Sequence, residues 1–190
     1  MTTALIGYGS HGSDIEAIFR LYGRGQLVIY DEDPTVAEPP PVPMDIPYFL
    51  GDNYRRRQMA ERLGGRGAPP LHESHKQYLD CVFAPGVVIA PGVSIGHHVT
   101  LGLHTHINYG SALTRCFVGD YVTVAPGVIM CGDITVHDDA FIGAGAVLSD
   151  RVTVGRGATV GAGAVVPPCT HIPAGEVWVG VPAKPLRTAA

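Results

Sequence analysis

From Phe83 to Ile172 a bulky apolar residue returns at every sixth position. The series runs Phe83, Ile89, Ile95, Leu101, Ile107 and Leu113. It then resumes one residue early at Val118 and continues through Val124, Met130, Val136, Ile142, Leu148, Val154, Val160, Val166 and Ile172. Four places after the inward residue sits a small or β-branched one, such as Val87, Val93, Val128, Ala140 or Ala158. A period of six fits neither a helix, at about 3.6 residues per turn, nor the alternation of a half-buried strand. It predicts short parallel strands wound into a coil, three hexads per turn, with the sixth-residue side chains stacked inward. Glycines follow that position at Gly96, Gly102, Gly119, Gly143, Gly155 and Gly161, where a tight corner calls for a permissive backbone.

Upstream the pattern changes. ALIGYG reads as a short strand ending in Gly, Ser13 to Leu21 has helical spacing in Ile15, Ile18 and Leu21, and QLVIYD is a second strand closed by Asp31. Residues 3–37 therefore predict a small Rossmann-like βαβ unit. Its turn, Gly7-Tyr8-Gly9-Ser10-His11-Gly12, is a GxGxxG sequence after a strand and opening a helix. Such a turn sets backbone N–H groups and a helix N-terminus against a phosphate; a plain tight strand–helix turn is the alternative. Residues 38–50 are Pro-rich loop. FLGDNYRRRQMAERL then reads as strand, turn and helix, with Arg55, Arg56, Arg57 and Arg62 on a solvated face. Two domains are expected: 1–75, a small α/β unit, and 76–190, an all-β parallel β-helix with a C-terminal tail. The first has room for one mononucleotide-sized ligand at most.

Composition narrows the function. With 46% hydrophobic residues in 190, a real core is affordable, and a net charge of −4 leaves no footprint for nucleic acid. The start MTTALIGYGSHG has no basic n-region and no long apolar core, so it does not read as a signal peptide. No stretch approaches the ~18 apolar residues of a membrane span. Cys81, Cys116, Cys131 and Cys169 lack CxxC spacing and read as free thiols of a cytoplasmic protein.

Several segments along nearly the whole chain resemble one family: the GYGSHG turn, YDEDP, GDNYRRR, the hexads, HTHIN, FVGDYVTVAPGV, FIGAGAVL and the ending VGVPAKPLR. The family is that of the sialic-acid O-acetyltransferases, which also contains bacterial N-acetyltransferases of UDP- and GDP-linked 4-amino sugars. The resemblance implies a left-handed β-helix, a homotrimer, and acetyl-CoA as co-substrate in the groove between neighbouring β-helices. It implies direct acyl transfer to a sugar nucleotide, with a His as base and a backbone N–H at the oxyanion. Residue by residue, it places Gly132 at the oxyanion-side amide, Ala144 and Ala162 along the pantetheine arm, and Lys184 and Arg187 near CoA phosphates. Gly7, Gly9, Ser10, His11, Gly12 and Asp31 match the sugar-nucleotide turn and its acid.

The match breaks at the base. Aligned from Gly119, the family's catalytic His falls on Thr114; aligned from Asn108, it falls on Arg115. Arg stays protonated and a Thr hydroxyl is too weak, so neither is a neutral base near pH 7. The one-residue deletion falls in this same coil. Steps of 18 residues, or 17 across the deletion, place His97 beneath Arg115 and Gly132, and His106 beneath Thr123. His97 or His106 is therefore the expected substitute base, with His137 a further candidate; solvated corner histidines are the plain alternative. Two other functions compete: a non-catalytic trimeric relative that binds sugar nucleotide or CoA, and a zinc hydratase of the γ-carbonic-anhydrase type. The His-x4-His spacing of the latter is absent, so no metal is expected.

Overall fold

The structure is a computed structural model describing residues 2–6, 9–22, 25–30, 48–50, 57, 60, 61, 67 and 80–186. At the N-terminus, β1 (Thr2–Ile6), α1 (Gly9–Tyr22) and β2 (Gln26–Tyr30) follow one another, with β3 (Tyr48–Leu50) farther on. The three strands are parallel in the order β2-β1-β3. The helical spacing read from the sequence is the face that α1 buries: Ile15, Ile18 and Phe19 are inside, while Arg20 reaches back to Glu16 one turn earlier. The Rossmann-like unit expected from the sequence is not evident, since the described residues hold a single helix beside these three strands.

The hexads form a parallel β-solenoid of about five turns. Its first face stacks Val82–Phe83, Val99–Leu101, Cys116–Val118, Ile134–Val136, Thr153–Val154 and His171–Ile172. The second face begins with Val88–Ile89, His106–Ile107 and Thr123–Val124 and ends with Val177–Val179. The third runs from Ser94–Ile95 to Val165–Val166. Strands of two or three residues cannot hold together alone. Backbone hydrogen bonds to the coils above and below replace the missing length, as from Ala90 to the Ile107 carbonyl at 2.9 Å and from Ala125 to that of Ile142 at 2.9 Å. The sixth-residue side chains Leu101, Ile107, Met130 and Ile142 are fully buried in one continuous column. Each contributes about 1.5–3 kcal/mol by leaving water.

Every turn has three corners, and each corner uses a residue in the left-handed backbone region. At the first corner these are Asp80, His98, Arg115, Asp133, Arg151 and Cys169; at the second, Gly86, His104, Tyr121, Asp139, Gly157 and Gly175; at the third, Gly92, Gly110, Gly127, Gly145 and Gly163. The third corner is glycine throughout, which fits a backbone that disfavours any Cβ. The first corner has none and accepts the strain of about 1–2 kcal/mol per residue that an L side chain incurs there. The missing residue of the hexad register is at this corner: Thr114 and Arg115 alone join Leu113 to Cys116, where the coils on either side use three residues.

Outward-pointing residues on the second face should be solvated, yet Val88, His106 and Thr123 are buried while Val177 is exposed. The lower coils of this face are where the N-terminal elements lie, because Ile15, Phe19 and Phe49 share one buried cluster with Val87–Ala90. The His104 ring stacks between Tyr48 at 5.5 Å and Tyr121 at 5.7 Å. Arg57, read from the sequence as part of a solvated face, instead donates to Asp139 at 2.8 Å and lies 4.5 Å over the Tyr121 ring. Arg55, Arg56 and Arg62 lie outside the described residues. No helix among the described residues is long and apolar enough to cross a membrane.

Two glycines separate crowding from backbone strain. A Cβ at Gly102 would meet the Gly119 carbonyl carbon at 2.5 Å and the Asp120 nitrogen at 2.7 Å, and would displace the Asp120 carboxylate that accepts the Leu103 N–H. At Gly163 it would meet nothing, but φ is +66°. Gly102→Ala is expected to cost about 1–3 kcal/mol by overpacking, and Gly163→Ala about 1 kcal/mol by strain. Urea unfolding compares them; a Gly163→Ala variant the less stable of the two would refute the coil spacing described.

Candidate active site

The first corner carries a ladder of polar side chains. Asp80, His98, Arg115, Asp133 and Arg151 follow at steps of 18, 17, 18 and 18 residues, so their side chains are about one strand spacing, ~4.8 Å, apart. Arg115 and Asp133 form an ion pair on it. Asp133 accepts from Arg115 Nε at 3.2 Å and Nη2 at 3.5 Å, and His98 Nε2 lies 3.8 Å from Asp80 Oδ2. The hydrogen bond to Asp133, with its charge, holds Arg115 above the usual arginine range. The Arg115 side chain is thus a permanent cation and never a base.

An open groove of about 470 Å³ runs beside this ladder, lined by His97, His98, Arg115, Phe117, Asp133 and Thr135 among others. Its floor is the outward side of the first face, where Thr100, Phe117 and Thr135 lie in register. Phe117 is half exposed there. The His97 and His98 rings share a hydrogen bond, Nδ1 to Nδ1, at 2.8 Å. One ring donates and the other accepts. In the tautomer with His98 Nδ1 as the acceptor, the His98 proton is on Nε2, on the side of Asp80. His97 then donates through Nδ1 and keeps a lone pair on Nε2.

The structure brings some of the expected residues together and separates others. His97, Arg115 and Gly132 meet at the first corner: the Arg115 N–H donates to the His97 carbonyl at 2.9 Å, and Arg115 Nη2 lies 2.6 Å from where a Gly132 Cβ would be. The register differs from the 18-residue arithmetic in one respect. Val99 pairs with Cys116, so His98 and not His97 stands beneath Arg115. The deletion lies within the corner, and Thr114 spans what Gly96 and His97 span one coil below. His106 does lie beneath Thr123, but on the second face and 2% exposed. His137 is exposed near the second corner, beside Asp138 and Asp139 and outside the groove. Ala144 and Ala162 are exposed at the third corner, one coil apart, with the Gly163 N–H donating to the Ala144 carbonyl at 2.8 Å. Within one chain the third face separates them from the groove. Lys184 is exposed in the tail strand Lys184–Pro185, paired antiparallel to Val177–Val179. Gly9, Ser10, His11 and Gly12 form the first turn of α1; Gly7, Asp31 and Arg187 lie outside the described residues.

Sequence reasoning missed Asp80, His98, Phe117 and Asp133. The corner spacing held the signal: counting back from Arg115 by 17, and out by 18, reaches His98, Asp80 and Asp133.

Residues 133–168 match the family described as bacterial transferase hexapeptide (six repeats). No curated protein is matched by the sequence. Among solved structures, the chain is similar to the acetyltransferase domain of PglB from Neisseria gonorrhoeae in complex with acetyl coenzyme A, at 25% identity and a TM-score of 0.84, covering 97% of this chain and 98% of that one. It is equally similar to a histidine-to-asparagine variant of perosamine N-acetyltransferase from Caulobacter crescentus with CoA and GDP-perosamine, at 25% identity and 0.84, covering 99% and 98%. WeeI from Acinetobacter baumannii follows at 25% and 0.77, covering 98% and 100%. The resemblance read from the sequence is borne out: the chain shares the repeat and the fold of the sugar N-acetyltransferases.

All four cysteines are free thiols. Burial, and secondarily the nearby Cys81, pushes the Cys116 thiol up to about 12, while Cys131 and Cys169 are exposed. At pH 8, iodoacetamide is expected to label Cys131 and Cys169 and to spare Cys116 until the protein unfolds. The unfolded thiol ionises near its ordinary 9.0 and the folded one near 12, so stability falls as pH rises between them. Peptide mapping after a timed pulse checks the labelling; early carboxymethylation of Cys116 would contradict its placement.

Proposed function

We propose that this chain transfers an acetyl group from acetyl-CoA directly to the amine of a nucleotide-linked amino sugar or a closely related glycan precursor. The observation that carries this reading is the extent of the structural likeness. It spans 97–99% of the chain, N-terminal unit as well as solenoid, against acetyltransferase structures holding acetyl-CoA, or CoA with GDP-perosamine. Both substrates then have a place: residues 1–75 for the nucleotide sugar, with Gly7, Gly9, Ser10, His11 and Gly12 at a phosphate and Asp31 at the ribose or base, and residues 76–190 for acetyl-CoA. The non-catalytic reading draws no support from these comparisons.

The base is His97. It lines the groove, and with its Nδ1 donating to His98 its lone pair is on Nε2. His106 is buried against the N-terminal elements, and His137 is outside the groove. As the amine attacks the thioester, His97 takes its proton and then passes it to the departing thiolate, so no acyl-enzyme forms. Thr114 contributes no proton transfer. The amide of Gly132 faces the reacting carbonyl in this reading.

Ala144 and Ala162 line the pantetheine arm only if a second copy sets its third corner against the first corner of its neighbour. The proposal therefore includes a homotrimer of left-handed β-helices, with Lys184 and Arg187 meeting CoA phosphates at its rim. A trimer also covers the apolar row of Ala112, Ile129, Val147 and Val165 that the third face turns outward. A cytoplasmic location fits the free thiols and the acetyl-CoA requirement.

Calorimetric titration of acetyl-CoA into the protein is expected to give saturable binding, one per chain. With a 4-amino-sugar nucleotide as acceptor, His97→Ala is expected to lower kcat by about 10²–10⁴-fold with acetyl-CoA binding retained. His106→Ala and His137→Ala, measured beside it, are expected to lower kcat far less. No acetyl-CoA binding at millimolar ligand would end the proposal, and full turnover by His97→Ala would remove His97 from it.

A further inference from the structure

The groove at the first corner has one permanent cation among its described lining residues, Arg115. Like the other first-corner residues, Arg115 takes the left-handed conformation, at φ 42°, and its guanidinium lies over the backbone of the next coil. A Cβ at Gly132 would stand 2.6 Å from Nη2 and 3.2 Å from Cζ, so only glycine leaves room for the fork. Asp133 orients that fork from its Nε side. A guanidinium carries five N–H donors. Asp133 engages two of them, and the other three have no protein acceptor among the described residues. Arg115 and His97 are joined through the backbone at 2.9 Å and line one groove.

Acyl transfer needs two things at one place: a base for the nucleophile's proton and donors for the charge that builds on the thioester oxygen. The hydroxyls of Thr100 and Thr135 are the other side-chain donors along the floor, and they carry no charge. We propose that Arg115 is the electrophilic residue of the reaction, its free guanidinium N–H groups holding the acetyl carbonyl oxygen of acetyl-CoA. This rests on the acetyltransferase reading and adds to it a side-chain donor at the reacting carbonyl. The amine lone pair forms the new C–N bond, and the C=O π pair moves onto the oxygen facing Arg115. The amine proton goes to His97 Nε2. The oxyanion then collapses, the C–S bond breaks, and the CoA thiolate leaves with the proton from His97. Charge develops opposite a cation that is already oriented, so little reorganisation is needed at the moment of reaction. The replacement of a titratable group at this corner by Thr114 and Arg115 is then an exchange of roles: the base sits one coil lower and the electrophile takes the corner.

The test is isotope-edited infrared spectroscopy of carbonyl-labelled acetyl-CoA bound to the full chain without acceptor. In the wild type the thioester carbonyl stretch is expected to move to lower wavenumber than in free acetyl-CoA. Arg115→Gln is expected to bind acetyl-CoA with the shift abolished, and to lower kcat by about 10²–10³-fold with little change in KM for acetyl-CoA. Arg115→Lys, which keeps the charge but not the fork, is expected to retain part of the shift and serves if the Gln variant does not fold. Arg156→Gln, at the second corner, where its guanidinium donates to Asp139 at 3.0 Å outside the groove, is expected to leave shift and kcat unchanged. A wild-type complex with no shift, or an undiminished shift in Arg115→Gln, overturns the assignment of Arg115 while leaving the acetyltransferase reading in place. Loss of acetyl-CoA binding in Arg115→Gln and Arg115→Lys alike overturns it in favour of a phosphate anchor. Failure of the wild type to bind acetyl-CoA brings down both readings.

Discussion

The coil-to-coil hydrogen bond is the constraint on which everything else in this chain depends. Strands of two or three residues have no stability of their own, so each must find its partner one full turn away. That requirement fixes the length of every turn, and with it the position of every corner residue. It also fixes which side chains share a column. Sequence positions far from one another become neighbours only because the turn length is held at 18 residues, or at 17 once. The inward column of Leu101, Val118, Val136 and Val154 and the outward ladder from Asp80 to Arg151 are two readings of one periodicity, one apolar and one charged.

Corners are where this regularity is bought. An all-glycine third corner lets the backbone turn with no side chain in the way, and it leaves a smooth rim. A first corner made of Asp, His, Arg and Cys accepts strain in return for a row of functional groups at uniform spacing. Such strain falls on six residues at this edge against His104, Tyr121 and Asp139 at the second corner, and it is a kind of strain that clusters at functional sites. The shortened turn at Thr114–Arg115 belongs to this edge. It keeps the hydrogen-bond ladder intact, since Arg115 still donates to the His97 carbonyl, and the Arg115 guanidinium lies over the next coil.

The solenoid was legible because its signal is repeated sixteen times over, from Phe83 to Ile172, and because inward burial leaves no choice of residue type. The deletion was legible as a break in count. What the count could not give was the location of the break within the coil. Placing it one residue earlier or later exchanges His97 for His98 beneath Arg115, and only the Val99–Cys116 pairing decides. The N-terminal strands and helix were readable from local pattern, whereas their docking was not. Nothing in RRR distinguishes Arg57, which meets Asp138 and Asp139 from the far side of the sequence, from its neighbours. Likewise His106 reads as an outward residue in a period of six, and it is buried only because another part of the chain lies over that face. Long-range coverage of this kind leaves no local trace.

The C-terminal tail has a consequence for the molecule as an assembly. A stack of parallel strands ends, at its top, in a row of backbone groups shaped to accept one more coil, from this chain or from any other. Here the chain reverses after Val179 and lays Lys184–Pro185 antiparallel along the last strand of the second face, while the Ala183 N–H and the Gly180 carbonyl bond to Val165 on the third. On those two faces the uppermost edge is thereby covered, on the second by a strand running the wrong way for propagation, with a proline in it. A tail strand of this kind acts there as a stopper, against the end-to-end growth into a fibre that a fold built by repetition invites.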